Sequence, residues 1–153
     1  MIINLTQHAA TKEQVETGVF EPRNKGRVQL DLTFDSLPNK AEVMSRASVL
    51  AEVAKQEILV KIKEKEYEEY SLILDAIRLA DAGLVQPLFS LIHPRAMIGG
   101  APYLMAPLEA ELKKLGIEPV YAFSERVSEE TVQPDGTVVK TNVFKHVGFV
   151  STW

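Results

Sequence analysis

The run Arg95-Ala96-Met97-Ile98-Gly99-Gly100-Ala101-Pro102 constrains the fold more than any other part of the chain. A short apolar segment suited to a buried strand passes through two glycines into a proline-started stretch. In that stretch Leu104, Leu108, Leu112 and Leu115 recur on one helical face. Lys113 and Lys114 suit the last turn of a helix, and Gly116 suits its stop. Strand, tight turn and helix in that order make one repeat of an α/β sheet. The same grammar serves an anion, because glycines admit a ligand to the backbone and the unpaired N–H groups of a helix start favour phosphate. A Gly-Gly pair also works as a bare strand-to-helix connection, and both uses stay open. Two prolines compete for the helix start. Either the helix begins at Pro102 and kinks at Pro107, or it begins at Pro107 and leaves 101–106 as a separate turn.

The flanking segments extend this pattern. Ile2 to Leu5 reads as a buried strand, and Thr11-Lys12-Glu13-Gln14 has the spacing of a capping box opening a helix that ends at Gly18. Val28 to Phe34 alternates apolar and polar residues and predicts an edge strand. Asn39 and Glu42 cap a helix on which Met44, Ala47, Leu50, Ala51, Ala54 and Ile58 share a face. Tyr70, Ile73, Leu74 and Ile77 continue the period towards Gly83, while Ile58-Leu59-Val60 leaves a break or short strand open. Pro87 and Pro94 make 84–92 an irregular or short helical connection. Pro119 to Ser124 and Val138 to Val150 read as strands joined through Pro134-Asp135-Gly136-Thr137, an antiparallel hairpin. Val143, Val147 and Phe149 have one parity and Phe144 the other, so either both faces are partly covered or a bulge shifts the register. The expected fold is α/β and Rossmann-like: a mostly parallel sheet flanked by helices, with a C-terminal antiparallel β-hairpin.

At 153 residues and 46% hydrophobic content, residues 1–153 are expected to form a single domain with its own core. The absence of cysteine excludes disulfides and thiolate chemistry. A formal net charge of −4 argues against broad affinity for duplex nucleic acid. No apolar run reaches a membrane span and the first residues lack a basic region, so a cytoplasmic protein without membrane partners is expected. The three histidines are far apart in sequence, and no His-Glu-x-x-His pattern, phosphate-loop motif or full dinucleotide fingerprint occurs. Neither a metal nor a cofactor is expected.

In open α/β sheets ligands sit beyond the carboxyl ends of the strands. Three segments meet that rule: Thr6-Gln7-His8, Gly99-Gly100-Ala101 and Ser124-Glu125-Arg126. Thr6 and Gln7 offer hydrogen bonds to a base or ribose, and His8 is a candidate general base. Arg126 presents a planar fork for phosphate oxygens beside the Ser124 hydroxyl. Lys140 and His146 lie on the terminal hairpin, where His146 alternates with apolar neighbours. Each has a plainer reading as loop, solvated hairpin or structural histidine.

Ile3-Asn4-Leu5-Thr6-Gln7-His8 with Thr11-x-Glu13-Gln14, and Val120-Tyr121-Ala122-Phe123-Ser124-Glu125-Arg126 with Asp135-Gly136, Lys140 and Phe144-Lys145-His146-Val147-Gly148-Phe149, resemble the small single-domain CRISPR-associated Rossmann-fold proteins. That group includes ring nucleases, which bind and open cyclic oligoadenylate messengers. The likeness covers both ends of the chain, and the helical middle from Asn39 to Gly83 departs from it. It implies a homodimer with a cyclic oligonucleotide across the two-fold axis, cleaved without metal by ribose 2′-hydroxyl attack on the adjacent phosphate. It also implies Thr6, Gln7 and His8 on the nucleotide, Gly99 and Gly100 on phosphate, Arg126 as neutralising charge, and His8 or His146 as proton acceptor. The candidate ligand-binding set is Asn4, Thr6, Gln7, Gly99, Gly100, Ala101, Tyr103, Ser124 and Lys140, with His8, His146 and Arg126 as the catalytic candidates. A non-catalytic sponge or sensor, and a small interaction domain using the charged helix, remain alternatives.

Overall fold

The computed structural model describes residues 1–65 and 85–152. Four parallel or antiparallel pairings join its strands into one sheet, and the most buried strand is β1 (Ile2–Leu5), all four of whose residues are inaccessible. It is flanked in parallel by β2 (Val19–Phe20) and β3 (Arg95–Ile98), with Ile2 opposite Val19 and Arg95. β3 pairs in parallel with β4 (Glu118–Val132), and β4 pairs antiparallel with β5 (Val138–Ser151). The order β2-β1-β3-β4-β5 is a mostly parallel α/β sheet ending in an antiparallel pair.

The helices follow from their caps. Thr11 and Gln14 form a reciprocal capping box at α1 (Lys12–Glu16), which stops before Gly18 at φ 94. Asn39 accepts from the Glu42 N–H at 2.9 Å where α3 (Lys40–Lys65) begins. α3 runs unbroken through Ile58-Leu59-Val60, since Ile58 and Ile62 are one turn apart and both reach the core. The periodic set from Tyr70 to Ile77 lies outside the described residues. α4 (Val85–Ile92) is a regular helix that seats Leu88 and Phe89 in the core.

One expectation changes. Val28 to Phe34 is not an edge strand: residues Lys25–Leu32 form helix α2, capped by Asn24, whose Oδ1 accepts from the Arg27 N–H at 3.0 Å. The alternating Val28, Leu30 and Leu32 also satisfy an i, i+4 pattern, and the cap decides between them. Val28 and Leu32 are buried while Leu30 stays 70% exposed. The edge position is taken by the two-residue β2. Of the two starts left open for the last helix, the structure takes the first: α5 spans Pro102–Lys114 with Pro102 at its first turn and Pro107 inside. Pro107 removes one donor that would have met the Tyr103 carbonyl, on a residue that is itself half exposed, so water can satisfy the orphaned oxygen. At its other end the Gly116 and Ile117 N–H groups close on the Lys113 and Leu112 carbonyls, each at 3.0 Å, and Gly116 takes φ 77.

α2 to α5 cover one face of the sheet, meeting Ile3, Leu5, Ala96 and Ile98 in the main core. The other face carries the small cluster Ile2, Val19, Met97 and Val120, with Ala10 and Phe149 at its margin. Right-handed crossovers explain the asymmetry: β1 to β2 moves one way across the sheet, and β2 to β3 and β3 to β4 move the other. Only α1 falls on the second face. Among the described residues no helix is long and apolar enough to cross a membrane.

Candidate functional site

Because the chain leaves β1 and β3 in opposite directions, their carboxyl ends open a crevice between them. A cleft of about 440 Å³ lies there. Its walls are Thr6, Gln7, His8 and Ala9 after β1, Thr11 and Gln14 from α1, Met97 to Gly100 from β3 and its turn, and Tyr121 and Ala122 from β4. The loop after β1 and the Gly99-Gly100 turn therefore meet, as the strand-end rule expects.

The loop is held from beneath by Asn4, which is fully buried. Asn4 Nδ2 donates to the His8 carbonyl at 2.9 Å and to Glu21 Oε1 at 2.8 Å. Its Oδ1 accepts from the Thr6 N–H at 3.0 Å and the Thr6 hydroxyl at 2.7 Å. Glu21 also accepts from the Ala10 N–H at 2.7 Å and pairs with Lys25 at 3.0 Å. Partial burial opposes ionisation of Glu21, and the hydrogen bonds from Ala10 and Asn4 together with the Lys25 ammonium outweigh it, holding the carboxyl below its ordinary range. The Asn4 side chain thus spends its hydrogen-bonding capacity on the loop and on Glu21, and positions the site rather than lining it. The backbone of His8 is fixed while its imidazole stays exposed at the cleft. Gln7 is tied down by Gln29, whose Nε2 donates to its carbonyl at 2.8 Å.

The glycines divide their work. A Cβ on Gly99 would reach Thr6 Cγ2 at 3.6 Å, on the cleft side, whereas one on Gly100 would turn towards Met105 and Leu32. α5 starts immediately after them, and its N-cap Ala101 offers no side-chain hydrogen bond, so the positive end of the helix dipole faces the turn uncapped. Among the described residues, no lysine, arginine or carboxylate lines the cleft.

The other candidates lie elsewhere. Ser124 and Arg126 do not follow the end of a strand, since β4 continues to Val132; Arg126 stands 5.9 Å from the centroid of Phe144 on the hairpin. Lys140 pairs with Glu130 at 3.1 Å farther out. Tyr103 contacts Phe34 edge-on, with centroids 5.4 Å apart, at a separate depression that includes Leu37 and Pro107. His146 meets the Phe149 ring at a tilt of 56°, with centroids 4.7 Å apart, outside the cleft walls, and its two shielded ring nitrogens make no hydrogen bond among the described residues. Sequence reasoning placed Thr11 and Gln14 as caps only. Their box, with the Thr11 N–H donating to Gln14 Oε1 at 2.9 Å, also forms a cleft wall. Tyr121 and Ala122 carried no signal beyond strand pattern. Tyr121 is anchored by donating to Glu109 Oε1 at 2.7 Å, and burial with that carboxylate pushes its hydroxyl pKa upward.

Residues 54–150 match the model of the family described as Uncharacterized protein MJ1673 family. No curated protein and no solved structure matches the chain.

Proposed function

The chain belongs to the uncharacterized MJ1673 family, and from the cleft itself we propose that it binds a cyclic oligonucleotide and opens it by metal-independent 2′-hydroxyl attack. The observation that carries this reading is the meeting of Thr6, Gln7 and His8 with the side-chain-free Gly99 at the carboxyl edge of the sheet, in the turn that leads directly into α5. Phosphate would be held by backbone N–H groups and the helix dipole rather than by a cationic side chain. Thr6 and Gln7 supply hydrogen bonds to base or ribose. His8, fixed through its carbonyl, accepts the 2′-hydroxyl proton; the 2′-oxygen bonds to the adjacent phosphorus, the P–O5′ bond breaks, and the 5′-oxygen leaves with a proton from water, so the ring opens to a linear chain ending in a 2′,3′-cyclic phosphate. The resemblance to CRISPR-associated ring nucleases supports the substrate class and assigns a control role in antiviral signalling.

At about 440 Å³ the cleft is at the small end of ligand sites, which run from about 300 to 1,000 Å³. It suits one nucleotide unit, so a ring would extend out of it. A cleft whose described walls hold one imidazole, His8, and no carboxylate also fits a sponge that binds without turnover. Incubation with a panel of cyclic oligoadenylates separates the two: ring opening yields linear products, and a sponge returns intact ligand after denaturation. Gly99→Val, which fills the gap beside Thr6, is expected to abolish binding while the fold persists. His8→Ala is expected to retain binding and lose cleavage. Failure of every cyclic oligonucleotide to bind at micromolar protein overturns the proposal.

A further inference from the structure

Gln14 is the third residue of α1, and its side chain is legible in the sequence only as half of a capping box. The structure gives that side chain a second edge. Gln14 is 8% exposed, and it forms part of the cleft wall. Its Oε1 accepts from the Thr11 N–H at 2.9 Å. A backbone N–H can only donate, so the atom facing it is the carbonyl oxygen, and the planar carboxamide turns Nε2 the other way. Among the described residues Nε2 makes no hydrogen bond. Nor is it shielded, since the side-chain polar atoms there that are both shielded and unbonded are the two nitrogens of His146. A nearly buried amide of fixed orientation thus holds two unpaired N–H donors open to the cleft. Folded proteins pair such groups with protein, water or ligand, because an unmade hydrogen bond at a desolvated donor is destabilising.

We propose that Gln14 is the specificity-determining donor of the cleft, giving a hydrogen bond to a lone-pair acceptor on the base of the bound nucleotide unit. This role rests on the nucleotide reading and fixes which part of the ligand meets which wall. α5, whose start faces phosphate in that reading, stands with α2 to α4 on the first face of the sheet, while Gln14 stands on α1 over the second. A unit with its phosphate at Gly99 and the α5 start therefore turns its base towards α1. Met97 and Ala122 line the cleft between these walls. Met97 belongs to the apolar cluster of the second face, and Ala122, two residues along β4 from Val120, shares that face.

An apolar floor with a fixed polar group at its rim is how small-molecule sites accept a flat ring and set its orientation. Donors at that rim favour a ring edge bearing an unprotonated nitrogen or a carbonyl oxygen, and disfavour one bearing only N–H groups. The other amide of the cleft, Gln7, is less suited to this reading. It is exposed, and its Nε2 is partly engaged with the Thr33 hydroxyl at 3.3 Å.

Gln14→Glu separates the two roles of the residue. Glutamate here keeps the capping box, since its carboxylate accepts from the Thr11 N–H as the amide oxygen does. It has no hydrogen to give the ligand, and it sets a charged acceptor where a donor stood. A residue that served as a cap alone would let this variant bind as the wild type does. Titration of the full chain with a cyclic oligoadenylate is expected to show binding at least ~10-fold weaker in Gln14→Glu, at an unchanged thermal unfolding midpoint. Gln14→Met, uncharged and of similar length, is expected to bind about 3- to 10-fold more weakly and covers the case in which the carboxylate disturbs α1. In the wild type the side-chain NH2 proton resonances of Gln14 are expected to move on saturation with the ring. Wild-type affinity in both variants, or NH2 resonances that stay in place, overturns the proposal and leaves the nucleotide reading standing. A wild type that binds no cyclic oligonucleotide overturns both.

Discussion

The β1–β3 region and the β4–β5 arm are both built from β-strand sequence, yet they are stabilised in opposite ways. β1 is four residues long, contacts strands on both sides and is covered on one face by helices, so every residue is buried. The arm is more than three times as long, has one pairing along most of its length, and keeps eight large apolar side chains exposed from Phe123 to Val150. Strand propensity alone does not decide burial; what matters is whether another layer lies above the pleat. The short region creates a rigid edge where a ligand cleft can be pre-formed, and the long one offers surface.

The comparison can be broken most sharply by deleting matched side chains. Leu104→Ala, in the core layer over the sheet, is expected to cost about 2–5 kcal/mol in urea denaturation, through lost burial and an unfilled cavity. Asn4→Ala removes four hydrogen bonds, three to the loop after β1 and one to Glu21, and should cost about 1–3 kcal/mol. Faster amide exchange confined to residues 6–10 would show the loop loosening. Glu21 gives a pH-dependent version of the same test. Its carboxyl is held below the ordinary 4.5, so its contribution is present above that pH and is lost as pH falls through the folded value. With Glu21 37% exposed, the effect is screened, and the expected result is a flatter acid limb of stability in Glu21→Gln than in the wild type. An identical acid limb would show that the loop does not depend on that charge. Val127→Ala, on the exposed arm, should change stability by less than ~0.5 kcal/mol. A loss approaching that of Leu104→Ala would show that the arm too is packed.

Much of this was legible in the chain. Caps carried the helix starts at Thr11 and Asn39, because a side-chain oxygen three residues before a free N–H is a local event. The Gly116 stop and the Pro134–Thr137 turn were legible for the same reason. Val28 to Leu32 was not, since its spacing fits both a pleat and a helical turn, and the Asn24 cap supplied the difference. At the site, Thr6, Gln7, His8, Gly99 and Gly100 come together because strand ends in a parallel sheet share one edge. Ser124 and Arg126 do not join them, because β4 runs on to Val132 instead of ending near Phe123.

By itself the sequence determined the elements whose causes are local: buried strands, capped helices, the glycine turn and the hairpin. It also excluded thiolate chemistry outright, with no cysteine to supply it. Only the tertiary structure decided that Pro102, not Pro107, starts α5, which aims the helix dipole at the Gly99-Gly100 turn. It likewise decided that Asn4 supports the loop from within the sheet, and that the arm stands clear beside the cleft. Those facts depend on which strands become neighbours, and strand order is set by the handedness of crossovers and by shared burial across residues far apart in the chain.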